Sequence, residues 1–97
     1  MTRSWTHGTW VAKEGSEGAF AAAWFELARA AGERFGTTPT LLHDTEDPRV
    51  FKTFAAWPSR EVRDAFRGSD LVREAMAGFE PLLDSMQMIA LDEVEPS

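Results

Sequence analysis

The first third of the chain contains a segment typical of a β-strand, followed by a segment whose apolar residues have helical spacing. From Trp5 to Ala12, Trp, Thr and Val residues predict a first β-strand. Residues 13–15 predict a turn, after which apolar side chains recur every three or four positions, as on one face of a helix. This helix is expected to begin after Ser16, a favourable N-cap, and to end near Gly36. The predicted buried face consists of Phe20, Trp24, Leu27, Ala28 and Ala31.

Two short strands joined by a polar turn are predicted in the middle of the chain. Pro39 favours an extended conformation at the residue before it, and Thr40–Asp44 follows as the second strand. Residues 45–48 predict a turn. Val50–Trp57 is the third predicted strand, and Pro58 ends it. Because these strands are close in sequence, we expect them to pair as an antiparallel hairpin.

The last third of the chain predicts helix followed by strand. Ser59 is expected to cap a helix that runs towards Gly68, and a further helical stretch begins at Ser69 or Asp70. Glycine and proline interrupt that stretch before the last strand, Met86–Leu91. The order of elements is β-α-β-β-α-β, which predicts one ferredoxin-like α+β domain over all 97 residues, with a four-stranded antiparallel sheet.

The composition of the strands predicts that both faces of this sheet are covered. Two helices cover only one face. A strand with one solvent-exposed face alternates between apolar and polar residues. Val50–Trp57 alternates poorly, and Met86–Leu91 is mostly apolar on both faces. We therefore expect a second copy of the chain to cover the other face, which gives a homodimer.

Charge and composition exclude several classes of function. The net charge is −6 and the ten Lys and Arg residues are scattered, so neither nucleic acid nor an anionic membrane is an expected partner. The absence of cysteine excludes disulfides, thiolate metal sites and a cysteine nucleophile. No uninterrupted apolar run predicts a signal peptide or a membrane span, and a cytoplasmic location is expected. Four Trp and seven Phe residues suit a core or a pocket for a flat ligand.

His7 and His43 are the only side chains whose ordinary pKa suits a general base near neutral pH. They lie on the first and second predicted strands, and we expect both to point into the same layer as candidate catalytic residues. The alternative is a structural or surface role for each. The carboxylates of Asp44, Glu46 and Asp47 lack the full calcium-loop pattern, so we predict a solvated turn there and no metal site.

Four other side chains are candidates for binding a substrate. Trp57 ends the third strand, where its ring could line a cavity and its indole N–H could donate a hydrogen bond. Phe66 and Met76 lie on the inward face of the second helical region, and Arg73 could orient an acidic substrate. The alternatives are core packing for the first three and a solvated position for Arg73.

Several short motifs resemble the antibiotic biosynthesis monooxygenase family of dimeric α/β barrels. They are the segments Phe54–Ser59, Phe66–Asp70, Arg73–Ala75 and Trp10–Gly15, the last ahead of a helix with Phe20 and Trp24. The resemblance spans nearly the whole chain, and Trp57 matches the tryptophan at the end of the third strand. It implies a homodimer with its sheets face to face and a cavity between sheet and helices in each subunit.

The resemblance also implies an activity, the oxidation of anthrone-like or quinol-like aromatics by molecular oxygen with no metal or flavin. Such an enzyme needs an apolar cavity, a base and donors to the developing oxyanion. A haem-degrading branch of the family would need a histidine where this chain has Met76 and an asparagine near Gly8, and the chain contains no asparagine. We therefore hypothesise a cofactor-independent monooxygenase or, alternatively, a non-catalytic small-molecule-binding or stress-related dimer.

Overall fold

The structure is a computed structural model that describes residues 3–96. It consists of a four-stranded antiparallel sheet with helices on one face. Its strands are β1 (Ser4–Ala12), β2 (Thr38–His43), β3 (Val50–Trp57) and β4 (Leu83–Asp92). Its helices are α1 (Glu17–Phe35), α2 (Arg60–Arg67) and α3 (Asp70–Phe79), and a 3₁₀ turn (Glu80–Leu82) precedes β4. The strand order is β2-β3-β1-β4. The predicted ferredoxin-like α+β fold is confirmed.

The observed strands differ from the predicted ones mainly at the two sheet edges. β3 has the predicted bounds, whereas β2 begins two residues early and includes Pro39. Proline is compatible with an edge strand, because an edge leaves one side of the backbone without a partner. β4, the other edge strand, extends to Leu83 and Asp92, beyond the predicted Met86–Leu91. Its polar residues Asp84 and Ser85 are exposed there. Ser85 pairs with Val11 of β1, and a register shift between Val11 and Ala12 leaves Asp84 as a bulge.

The predicted helix ends are mostly confirmed, and their caps follow local chemistry. The hydroxyl of Ser59 accepts a hydrogen bond from the N–H of Val62 at 3.2 Å, and Ser69 caps α3 in the same way. Ser16 occupies the N-cap position of α1, but its side chain makes no capping hydrogen bond. Gly36 ends α1 at a φ of 68°, a left-handed conformation that glycine adopts without strain.

Residues of β1 alternate strictly between the two faces of the sheet. Ser4, Thr6, Gly8, Trp10 and Ala12 are buried beneath the helices, and the residues between them are partly exposed on the other face. The centre of the core is a cluster of fully buried rings. Ring centroids lie 5.4 Å apart for Trp10 and Phe20, 5.5 Å for Trp10 and Phe79, and 5.3 Å for Phe20 and Phe79.

The two histidines lie on opposite faces of the sheet, so the expectation that they point into one layer is wrong. His7 pairs with Phe54, and His43 pairs with Phe51. Since Phe51 and Phe54 are three residues apart on β3, their side chains point to opposite faces. His43 lies on the helix side and His7 on the other side. The register of β2 decides this, because a shift of one residue reverses the face of every side chain.

The face of the sheet without helices, here called the open face, carries several large apolar side chains. They are Trp5, Val11, Leu42, Phe54, Ile89 and Leu91. Leu42, Ile89 and Leu91 are 42–48% exposed. Polar residues lie among them, including His7, Thr9, Lys52 and Gln87. Within residues 3–96, no helix is both long enough and apolar enough to cross a membrane.

Candidate functional site

A cavity of about 50 Å³ lies between the helix-covered face of the sheet and the helices. Every strand and every α-helix contributes a lining residue. The aromatic lining residues are Trp10, Trp24, Trp57 and Phe66. Most of the others are Ala, Leu, Met or Pro, so the wall is predominantly apolar.

Three of the four residues predicted to bind substrate meet at this cavity. Trp57, Phe66 and Met76 all line it. Trp57 is buried, and its ring centroid lies 4.7 Å from that of Phe66. Phe66 and Met76 are half-buried and project from the two short helices α2 and α3. These two side chains belong to the partly exposed wall of the cavity, where a small movement would enlarge it.

The polar part of the lining consists of the side chains of Thr6, Thr37 and Thr53. The hydroxyl of Thr37 donates a hydrogen bond to the carbonyl oxygen of Ala56 at 2.6 Å, so its proton is not available to a ligand. Among the described residues, no Asp, Glu, His, Lys or Arg lines the cavity. Its electrostatic environment therefore comes from neutral hydroxyl and indole groups.

The hydroxyls of Thr6 and Thr53 each accept a hydrogen bond from a tryptophan. The indole N–H of Trp57 donates to Thr6 Oγ1 at 3.1 Å, and the indole N–H of Trp10 donates to Thr53 Oγ1 at 3.0 Å. Both threonines are buried. Neither hydroxyl donates a hydrogen bond to another group within residues 3–96.

Gly8 provides the space for one of these pairs. It lies opposite Thr53 in the pairing of β1 with β3. A Cβ atom at Gly8 would lie 2.5 Å from Trp10 Nε1 and 2.6 Å from Thr53 Oγ1, closer than real Cβ contacts. The backbone of Gly8 is ordinary extended strand, so this glycine is required by the space available and not by its φ angle.

The structure does not bring the predicted catalytic histidines to the cavity. His7 lies on the open face, where its Nδ1–H donates to the carbonyl oxygen of Thr53 at 3.2 Å. His43 lies at the end of β2, where its Nε2–H donates to the carbonyl oxygen of Pro48 at 2.5 Å and its ring stacks on Phe51. Both rings therefore have contacts that account for their positions without a ligand.

Arg73 is also outside the cavity. Its side chain is 73% exposed and pairs with Asp70 one helical turn away. Asp44 stabilises its own turn, because its carboxylate accepts the backbone N–H groups of Asp47 at 2.8 Å and Glu46 at 3.0 Å. These hydrogen bonds lower the pKa of Asp44, with the N–H of Asp47 as the largest cause. Within residues 3–96, no group of three His, Asp or Glu residues is arranged to hold a metal ion.

Sequence reasoning missed the threonine–tryptophan pairs. Thr6 and Trp10 lie on the same face of β1, and Thr53 and Trp57 lie on the same face of β3, which the period of two could have indicated. The missing information was the register, because each hydrogen bond joins residues more than 40 positions apart.

Comparison with known proteins establishes the fold. No protein-family model matches the sequence, and no curated protein matches it. A putative antibiotic biosynthesis monooxygenase from Caulobacter crescentus CB15 superposes with a TM-score of 0.87 at 18% identity, over 97% of this chain and 92% of that one. A second from Deinococcus radiodurans gives a TM-score of 0.87 at 17% identity, over 97% and 95%.

A third such protein, from Chloroflexus aurantiacus J-10-fl, has a TM-score of 0.79 and 22% identity over 98% of this chain and 96% of that one. Identities this low establish the shared architecture alone. The resemblance predicted from the short motifs is confirmed at that level: the chain has the fold of the putative antibiotic biosynthesis monooxygenases.

Proposed function

We propose that this chain binds a small aromatic molecule in the cavity and oxygenates it with molecular oxygen, without a metal or flavin of its own. The observation that carries the proposal is the lining, in which aromatic and aliphatic side chains surround a few neutral hydroxyls. Such a surface favours a flat, uncharged ring over a sugar or a phosphate. The fold shared with putative antibiotic biosynthesis monooxygenases supports the same assignment.

The proposed reaction needs only the substrate and dioxygen. A ring methylene group loses a proton, and the resulting carbanion passes one electron to O₂. The two radicals combine to form a C–O bond and a peroxide. Loss of the second C–H proton then breaks the O–O bond, which gives a carbonyl group and water. The balance is R₂CH₂ + O₂ → R₂C=O + H₂O, with four electrons passing from the substrate to oxygen.

The lining determines which substrates suit this chemistry. Because no ionisable side chain of the described residues lines the cavity, the protein offers no acceptor there for the first proton. We therefore propose an anthrone-like substrate, or a quinol-like one that reacts as its keto tautomer. The ring methylene group of either substrate gives its proton to water readily because the resulting anion is conjugated. His7 and His43 have no part in this proposal, since both lie outside the cavity. The contribution of the protein is to hold the ring, exclude water and stabilise charge.

The size of the cavity implies that its wall moves when the ligand binds. A volume of about 50 Å³ is far below the roughly 300–1,000 Å³ of ordinary ligand pockets. Phe66 and Met76 are the half-buried lining residues on the short helices, so their displacement opens the cavity with the least loss of packing. Truncating Phe66 should therefore admit larger rings.

We also propose that two chains form a homodimer through their open faces. The exposed Leu42, Ile89 and Leu91, together with the partly buried Trp5 and Phe54, form an apolar surface that no described element covers. Large apolar patches of this kind mark interaction surfaces in soluble proteins. An identical sheet would cover the patch symmetrically and extend the core of a small domain.

Oxygen consumption tests the proposed activity. Chelator-treated protein is mixed with anthrones, dihydroxynaphthalenes and quinols, and uptake is compared with buffer autoxidation. Uptake of one O₂ per molecule of product is expected. Phe66→Ala should change the substrate range, whereas Phe25→Ala, a matched substitution at an exposed ring outside the cavity, should not. An unchanged substrate range in Phe66→Ala would contradict the assignment of the cavity.

A second candidate function is binding without catalysis, which the uncharged lining and the small volume specifically favour. A cavity that has no base and is nearly filled by Trp57, Phe66 and Met76 could hold a ligand without activating it. Calorimetry on the same panel separates the two functions. Saturable binding without substrate-dependent oxygen uptake would assign the chain as a binding protein, and uptake would assign it as an enzyme.

A further inference from the structure

We infer that Thr6 and Thr53 together form a hydrogen-bond donor site for an acceptor oxygen on the ligand ring. The inference rests on the proposed function in one respect, since it takes the cavity to be where the ligand binds. It adds the chemical group that is recognised, a carbonyl or phenolate oxygen, and the two residues that recognise it. Neither threonine is a general base, and each acts through the proton of its hydroxyl.

The direction of each hydrogen bond decides what the threonines can offer. An indole N–H can only donate, so Thr6 Oγ1 must accept from Trp57 and Thr53 Oγ1 must accept from Trp10. A hydroxyl has one proton of its own to donate. Because neither hydroxyl donates to another described group, both protons remain available to a ligand in the cavity that these residues line.

Burial makes these protons important for binding. Thr6 is 8% exposed and Thr53 is 5% exposed, so bulk water has little access to either side chain. A buried donor that gains a partner on binding contributes to affinity, and a ligand that lacks the acceptor leaves the donor unsatisfied. The indole bonds also polarise the hydroxyls, because donors in a chain strengthen one another.

The sheet places the two threonines on the same face, beneath the helices. Thr6 pairs with Ala55, and Thr53 pairs with Gly8, so the threonines are diagonal neighbours on adjacent strands. Such neighbours are about 7–8 Å apart between backbones, with both side chains on the same face. A flat ring lying between the sheet and α1 would present its edge oxygen to this pair.

The site also distinguishes between classes of ligand. Carboxylates and phosphates would need a cation, and the described lining contains none. Amines and N–H groups would need a free acceptor, and both threonine oxygens already accept from tryptophan. An uncharged aromatic ketone matches both hydroxyls, and so does a phenolate, whose negative charge is spread over the ring and not confined to a carboxylate or phosphate group.

Calorimetry with fluorenone and fluorene tests the inference, because these two ligands share one ring skeleton and differ in a carbonyl group. The protein should bind fluorenone roughly tenfold more tightly than fluorene, the equivalent of about one hydrogen bond. Thr6→Val and Thr53→Val should each reduce this preference at least threefold. Thr6→Ser and Thr53→Ser retain the hydroxyl and should preserve it. The matched control is Thr45→Val, in an exposed turn away from the cavity.

Each outcome of this experiment is decisive. Loss of the carbonyl preference in both valine variants, with recovery in the serine variants, supports the paired site. If both ligands bind and the preference is the same in all variants, the inference is overturned while the proposed cavity stands. If only one valine variant loses the preference, the pairing is overturned and one threonine is the donor. If neither ligand binds, the proposed ligand site itself is overturned, and the inference with it.

Discussion

The substitution Gly8→Ala tests the close packing that holds Trp10 and Thr53 together. The added methyl group would lie 2.5 Å from Trp10 Nε1 and 2.6 Å from Thr53 Oγ1, so one of these groups must move. Trp10 is only 1% exposed and is surrounded by the rings of the core, which leaves it little freedom. We therefore expect Thr53 to rotate away and the hydrogen bond to break.

The magnitude of this effect follows from two separate costs. Inserting a methyl group into a packed core costs about 1–3 kcal/mol, and an unpaired buried indole N–H costs about 1–3 kcal/mol. The lower chain entropy of alanine in the unfolded state offsets roughly 0.5–1 kcal/mol. A net loss of about 3 kcal/mol is expected, which lowers Tm by roughly 12–24 °C for a domain of this size.

Urea unfolding followed by circular dichroism measures this loss, with all variants at one protein concentration because dimers couple stability to concentration. The matched control is Gly18→Ala, since nothing lies within 4 Å of a Cβ atom there. That helical alanine should be neutral or slightly stabilising. In Gly8→Ala/Thr53→Ala the two costs should be less than additive, because both changes remove the same hydrogen bond. A Gly8→Ala variant within 0.5 kcal/mol of the parent, roughly the effect of a surface change, would refute the packing argument.

Three further results are expected. The Ser4 hydroxyl, followed by nearby arginine charges, lowers the pKa of Asp92, so its contribution to stability is present above the ordinary pKa and is lost as the pH falls below about 4. The urea midpoint of Asp92→Asn should therefore be lower than that of the parent at pH 7, and the difference should shrink progressively as the pH is lowered below the ordinary pKa of the carboxyl. In light scattering, Ile89→Asp on the open face should give monomers, whereas Val94→Asp, outside the sheet, should remain dimeric. If both variants are dimers, the open face is not the dimer interface. The pH profile of oxygen uptake should be unchanged in His43→Gln. A shifted profile would indicate that His43 acts as the general base after all.

Much of the fold could be predicted from local signals. The third strand was predicted with its observed bounds because prolines lie on both sides of it. The last strand was predicted too short, because Asp84 and Ser85 look like turn residues and only their place at a sheet edge makes them compatible with a strand. Arg63 was not predicted to be buried at all. Its side chain is only 9% exposed, and the carboxylates of Asp64 and Asp92 lie within 4 Å of its guanidinium, an environment that requires the tertiary structure.

The candidate site shows the same division between local and long-range information. Trp57, Phe66 and Met76 could be predicted because large apolar side chains at strand and helix positions tend to face a core. The face of the sheet on which His7 and His43 each lie could not be predicted, because the register of β2 and β3 depends on contacts throughout the sheet.

The separation of charge from the cavity determines how catalysis could work here. The described ionisable groups lie outside the lining, so an anion bound in the cavity would lose its water shell without gaining a counter-charge. That loss alone would raise the pKa of the bound substrate and slow its reaction with oxygen. Hydrogen bonds from Thr6 and Thr53 would offset part of this cost, because donors fixed by buried indoles need little reorganisation as charge develops. The acidity that the reaction requires would then come from the substrate, and the protein would contribute by protecting the anion from water while leaving it accessible to dioxygen.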